Sequence, residues 1–390
     1  MGTRTASIVA LVLALLIHVS CGSPPPPQTT WVQPDDQKLE WLNVAEWEPT
    51  DGAYRPVRVP KQWRDQFPEQ TANQALAPAD VVLRIATNAQ KISMRISVPP
   101  PDRPEGGQQQ GQGQQGNPQG SPPRPQIPRA TAFDVYKNGQ YLRTVEPSSA
   151  PGVQEVAVYD DPSGASVELA VLFPYSGSFL VHGVGITGGS AYGPPPHKGP
   201  RVLFHGDSIT QGVGTAQARG NYVWVTCEQL RCEPINLGFA GSAWGDKPVA
   251  EYIASRNDFN AVVLAFGTNS YRRASETPAQ FSTTYETFVS TIRKTHPQTP
   301  ILCITPLWRA ADTTGEKNQT GYTHQQYRDA VSRAVKKLQA SDPNLYLLDG
   351  KELVPQELYA ADEIHPTDDG AAIMAAAVAE ALKPHLPGMQ

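Results

Sequence analysis

Two kinds of hydrophobic spacing divide the chain. Between residues 79 and 186, short runs alternate apolar and polar positions: ADVVLRIAT, KISMRISV, FDVYKNGQYLRTV, QEVAVYD, SVELAVLF and FLVHGVGI. A period of two, rich in β-branched and aromatic residues, is the pattern of half-buried strands. Asn138-Gly139 splits one run and supplies the positive φ values that a two-residue hairpin turn needs. Several such strands separated by turns predict an all-β sandwich.

Past the cluster GPPPHKGP at 193–200 the pattern changes. Near-continuous apolar runs RVLFHG, EPINLGF, AVVLAFG, PILCITP and LYLLDG alternate with stretches of helical period around 217–230, 246–255, 278–295, 321–340 and 368–383. Phe281, Tyr285, Phe288 and Ile292 make one apolar stripe on the third of these helices. Buried strands separated by helices predict a parallel sheet covered on both faces, an α/β domain. Such folds place their chemistry at the carboxyl ends of the strands.

The 390 residues and their 39% hydrophobic content are enough for two or three packed domains. Proline and glycine concentrate locally. Residues 99–128 hold 9 Pro, 6 Gly and 8 Gln, leaving no apolar face to bury, so a disordered loop joining two strands is expected there. At the amino terminus, Arg4 precedes an apolar run from Ala6 to Ile17 and small residues at Ser20, Cys21 and Gly22. This is the pattern of an export signal over 1–20, too short for a comfortable membrane span. The SPPPPQTT stretch from Ser23 makes 21–35 a Pro-rich tether. The expected organisation is therefore signal, tether, β-sandwich over 36–192 and α/β domain over 200–390. Acidic side chains outnumber basic ones 37 to 32, so no broad positive field exists to hold nucleic acid. Cys227, Cys232 and Cys303 lack the spacing of a zinc site. Export permits a Cys227–Cys232 bridge, and two thiols near a helix end fit equally; neither receives a catalytic role.

Four strand ends carry polar residues of complementary chemistry. The first ends in His205-Gly206-Asp207-Ser208-Ile209-Thr210, presenting a serine from a turn. The second runs into Asn236 to Ser242, where Gly241 lets backbone approach a ligand. The third ends in Gly267-Thr268-Asn269, an amide at the same edge. Ala361-Asp362-Glu363-Ile364-His365-Pro366 precedes the last helix and pairs a histidine with an acid that can fix its tautomer. Each piece alone is a cap or a turn. Together they supply nucleophile, base, orienting acid and oxyanion donors for acyl transfer through serine. The acids crowded at 362–369 also raise a metal site, but those past Pro366 suit the positive end of the last helix, and no metal or cofactor is expected.

GDSIT with Ser208, the glycine of FAGSA at Gly241, GTN with Asn269, and DEIH with Asp362 and His365 resemble, in order, the four sequence blocks of the SGNH or GDSL-type hydrolases. That resemblance implies a flavodoxin-like three-layer fold and serine esterase or lipase activity without a metal. It also implies Ser208 as nucleophile, His365 as base, Asp362 as its partner, and an oxyanion hole from the Ser208 and Gly241 N–H groups and the Asn269 side chain. Ala132-Phe133-Asp134-Val135-Tyr136 is similar to the GxDLY motif of a subgroup in which a β-sandwich precedes the hydrolase domain. Val19-Ser20-Cys21 resembles the end of a lipoprotein signal, which would make Cys21 a lipidated anchor; plain secretion is the other expectation. Two-domain relatives include carbohydrate acetyl esterases, so the expected substrate is an acylated, first of all acetylated, glycan, with short-chain acyl esters or lysophospholipid next. A glycan-binding protein without activity is the rival of another class. Trp244, Tyr271, Arg272, Trp308 and Arg309 follow strand ends and are candidates to line the cleft, with ordinary loop packing as their alternative.

Overall fold

The computed structural model describes residues 27–98, 126–195 and 199–387. The export signal, Cys21 and residues 99–125 lie outside them. The alternating runs form the strands Val82–Thr87, Lys91–Ser97, Phe133–Lys137, Gln140–Val145, Val153–Asp160, Val167–Leu172 and Leu180–Thr187. They join two antiparallel six-stranded sheets. Inward residues of both, among them Ile92, Met94 and Val158 from one and Ile85, Phe133 and Leu169 from the other, close on a single apolar core. Asn138 and Gly139 turn the hairpin at φ 52° and 79°.

Two parts of this half differ from the sequence-based expectation, and a hairpin within the expected sandwich lies ahead of the strands that the pattern marks. Thr29–Val32, inside the expected tether, is a strand antiparallel to Val184–Thr187. The Pro run stops short of it, and Trp31 covers Gly183 and Gly185 of the neighbouring strand, which leave room for its ring. Glu46–Thr50 and Ala53–Val57 form a further hairpin around Asp51 and Gly52 at φ 50° and 77°. An Asp-Gly pair is the signal that marks it, masked by the prolines on either side. Near the end of the expected disordered loop, Ile127 packs with Leu172, Tyr175 and Val213 instead of standing in solvent.

The second half is a five-stranded parallel sheet in the order 233–238, 201–206, 261–265, 301–304, 345–348. Helices Lys247–Ser255, Pro278–Thr295 and His324–Gln339 cover one face, and Tyr222–Leu230 and Asp368–Leu382 the other. The three layers and the reversal of strand order beside Arg201–Gly206 form the crevice that such sheets use for ligands. Helix Pro278–Thr295 begins in a capping box of Thr277 and Gln280 and buries the stripe Phe281, Tyr285, Phe288 and Ile292. No helix among the described residues is long and apolar enough to cross a membrane.

The halves share structure. Val59, Phe67 and Ala75, from the segment between the early hairpin and the sandwich strands, complete the apolar core under the parallel sheet. Asp134 of the AFDVY motif accepts the Arg219 N–H at 2.9 Å, and Glu233 binds Arg84 of the sandwich at 2.5 Å and Arg201 at 3.1 Å. Cys227, Cys232 and Cys303 are unbridged, with the sulfur of Cys232, just past the end of helix Tyr222–Leu230, in contact with that of Cys227 inside it.

Candidate active site

The strand Arg201–Gly206 delivers the chain to Asp207, the N-cap of a single turn, Ser208–Gln211. The Asp207 carboxylate accepts the Ile209 N–H at 3.0 Å. Burial pushes its carboxyl up to about 6, against the opposing pull of that N–H, His365 and Arg309. This cap fixes the turn that presents Ser208, leaving the serine side chain at the rim of the sheet.

His365 Nε2 lies 2.7 Å from Ser208 Oγ, and His365 Nδ1 lies 2.5 Å from Asp362 Oδ2. The other Asp362 oxygen accepts the backbone N–H groups of Ile364 and His365 at 3.1 and 3.2 Å. Burial favours the neutral Asp362 carboxyl, but the hydrogen bond and charge of His365 and the two backbone N–H groups outweigh it and hold the group below its usual range. An ionised Asp362 accepts the proton on Nδ1, which leaves Nε2 as the acceptor for the serine hydroxyl. Their loop is closed by the Ala360 N–H on the His365 carbonyl at 2.7 Å. From the opposite side, Gly214 touches it at φ +104°.

Gly241, at φ +73°, lies in the loop after strand Glu233–Gly238. Among the described residues neither its N–H nor that of Ser208 enters a turn, cap or ladder. Asn269 is 5% exposed, and its amide nitrogen has no protein partner. A buried amide donor without a partner is costly unless a ligand or water meets it, and donors kept free for a developing anion have this property.

Behind Asn269 is a set of residues that strand-end inspection misses. Thr268 Oγ1 is 3.0 Å from His324 Nε2, His324 Nδ1 is 3.1 Å from Asp312, and Arg328 donates to Asp312 at 2.8 Å. Burial drops the His324 imidazole to about 4, so it is neutral at physiological pH. With Asp312 accepting from Nδ1, the Thr268 hydroxyl donates to Nε2, fixing the residue beside Asn269. The signal lay in His324 at the start of a helix, which offered no motif.

The five cleft candidates sit in different settings. Tyr271 is buried, with its hydroxyl donating to the Glu316 carbonyl at 3.2 Å. Trp308 is buried edge-to-face on Tyr359. Trp244 is half-buried beneath the Arg273 guanidinium at 4.0 Å, and Arg272 is exposed. Arg309 lies over the Tyr271 ring at 5.2 Å, with Nε and one terminal nitrogen lacking a protein partner. Among the described residues no group of three or more His, Cys, Asp or Glu side chains is arranged to hold a metal ion.

Residues 204–373 match the GDSL-like lipase/acylhydrolase family. They are a GDSL-like hydrolase domain. With it the protein is a carboxylic ester hydrolase, and Ser208, Gly241, Asn269, Asp362 and His365 all fall inside the matched span. No curated protein sequence matches the chain. Solved structures share the fold over both halves. A salicylyl-acyltransferase from a tetracycline biosynthetic pathway superposes with TM-score 0.75 at 22% identity, over 92% of this chain and 96% of its own. A Bacteroides ovatus protein described as a GDSL-like lipase gives 0.71 at 22%, over 92% and 98%. A family two carbohydrate esterase from Cellvibrio japonicus gives 0.60 at 14%, over 92% and 98%. The sandwich in front of the GDSL-like domain is thus part of the arrangement these structures have in common.

Proposed function

We propose that the protein is an exported serine esterase that removes acyl groups, first of all acetyl, from carbohydrate. The observation that carries the catalytic part is the continuous hydrogen-bonded run Ser208–His365–Asp362, with an Asn269 amide nitrogen lacking a protein partner past the end of the neighbouring strand. Ser208 Oγ attacks the ester carbonyl carbon while its proton passes to His365 Nε2. The oxyanion that forms accepts hydrogen bonds from the Ser208 and Gly241 N–H groups and from Asn269. The carbon–oxygen bond to the alcohol breaks, His365 returns the proton to the leaving oxygen, and Ser208 holds the acyl group. Water, deprotonated by His365, repeats the addition and frees the acid.

The substrate class draws support from the fold shared with the Cellvibrio japonicus carbohydrate esterase across both halves. Export draws support from the apolar run Ala6–Ile17 behind Arg4, and a lipid anchor from Cys21 at its end. A fluorophosphonate probe should label Ser208, with labelling abolished in Ser208→Ala, and the purified protein should release acetate from acetylated xylan. Full activity in folded Ser208→Ala protein would refute the mechanism. Labelling together with release from nitrophenyl esters but not from xylan would refute the substrate alone.

A further inference from the structure

The loop carrying Gly241 is held from outside the GDSL-like domain. Within that domain, Gln211 accepts the Ala240 N–H at 2.8 Å and the Ser242 N–H donates to Phe239 at 3.1 Å, so the N–H groups flanking Gly241 are fixed. The carbonyls of the same stretch are held by residues 58–71. Arg58 donates to Asn236 O at 2.9 Å and to Gly238 O at 3.1 Å. Gln70 Nε2 donates to Gly241 O at 3.2 Å, and Thr71 Oγ1 to Ser242 O at 3.2 Å.

This clamp is itself rigid. Arg58 is 1% exposed and holds the carbonyls of Gln74 and Ala77 at 2.6 Å each, while its guanidinium lies 5.5 Å over the Phe239 ring. Phe67 meets Phe239 edge-to-face, and Thr71 is fully buried. A peptide N–H points where the planes on either side of it are fixed, because only φ and ψ are soft. Gly241, at φ +73°, a conformation a glycine leaves readily, has no side chain to enforce that direction, and within the loop the Ser242 hydroxyl, donating to the Phe239 carbonyl at a long 3.4 Å, braces it weakly.

We infer that Gln70 and Thr71 are positioning residues for the reaction, with Arg58 as their support: they set the direction of the Gly241 N–H. The inference rests on the proposed role of that N–H as an oxyanion donor. The N-terminal half then completes the reaction centre without touching substrate. Small misplacement of a donor near the reacting atoms lowers turnover steeply, whereas substrate binding is little affected.

The test uses the full chain with Gln70→Ala, Thr71→Val and the double variant. The readouts are kcat and KM on nitrophenyl acetate, the rate of fluorophosphonate labelling, and thermal melting. The double variant should lose about 10- to 100-fold in kcat, with labelling slowed in parallel and KM within about twofold. Thr71→Ser, which keeps the hydroxyl, should recover most of the loss seen in Thr71→Val. Gln70 is half-buried, so Gln70→Ala serves alone if Thr71→Val fails to fold. A kcat within twofold of wild type in a folded double variant, or in Gln70→Ala alone in that case, overturns the inference. Absence of labelling at Ser208 in the wild-type protein overturns instead the reading on which it rests.

Discussion

A Cβ placed on Gly214 would stand 2.6 Å from His365 Cβ and 2.6 Å from the Pro366 carbonyl oxygen. Both contacts are closer than real Cβ atoms come, and φ +104° adds strain for any side chain. Gly214→Ala should therefore push the histidine loop away from Ser208. We expect kcat on nitrophenyl acetate to fall about 10- to 100-fold and stability to drop by about 1–3 kcal/mol. Steady-state kinetics with denaturant unfolding checks both, and unchanged turnover would show that the loop has another resting place.

Asn269→Ala removes one of the three proposed oxyanion donors. Its expected cost is about 10²- to 10³-fold in kcat with KM little changed. Because the amide nitrogen has no protein partner, thermal melting should stay near wild type. A large loss of stability with intact turnover would mark the amide as structural.

Asp362→Asn replaces the acceptor of the Nδ1 proton with a group that can donate to it, favouring the wrong tautomer. Turnover should fall by about 10³- to 10⁴-fold while Ser208 and His365 stay in place. Kinetics on nitrophenyl acetate across pH 5 to 9 checks this; a change under tenfold would remove Asp362 from the mechanism.

The carboxyl of Asp80 is pushed up to about 7 by burial, against the Asn236 hydrogen bond and the Arg58 charge. In the unfolded chain it returns to about 4. Between these values the folded state binds the proton more tightly, so its contribution to stability is full at low pH and declines as pH rises through this window, by up to about 1.4 kcal/mol per unit. Asp207, raised to about 6 by burial, has the same sign. Urea unfolding of wild type and Asp80→Asn at pH 4.5 and 7.5 isolates the Asp80 part: the wild type should lose more stability than the variant on going to the higher pH. Equal changes would place the Asp80 pKa at its ordinary value.

The parallel sheet was readable because buried strands and amphipathic helices differ in period, and Phe281, Tyr285, Phe288 and Ile292 kept theirs without interruption. Ser208, His365 and Asp362 could be picked out because the proposed chemistry needs particular side chains at strand ends. The residues that hold them gave no comparable signal. His324 and Arg328 act through burial and pairing, which no local spacing encodes, and Gly214 matters only because the chain returns at His365. Segment 58–80 breaks the period of the strands around it: its two short helical turns, Lys61–Arg64 and Glu69–Gln74, pack on the other half of the molecule, so their apolar positions answer to a surface the neighbouring sequence does not contain.

Val59, Phe67 and Ala75 fill the core beneath the parallel sheet from a stretch that comes well over a hundred positions earlier in the chain. The boundary drawn by composition near residue 200 is therefore no seam for inheritance or engineering. A gene fragment beginning there would lack part of its own interior, leaving Phe239 and Tyr252 facing water. Swapping in another front half would have to bring residues of similar shape to that patch.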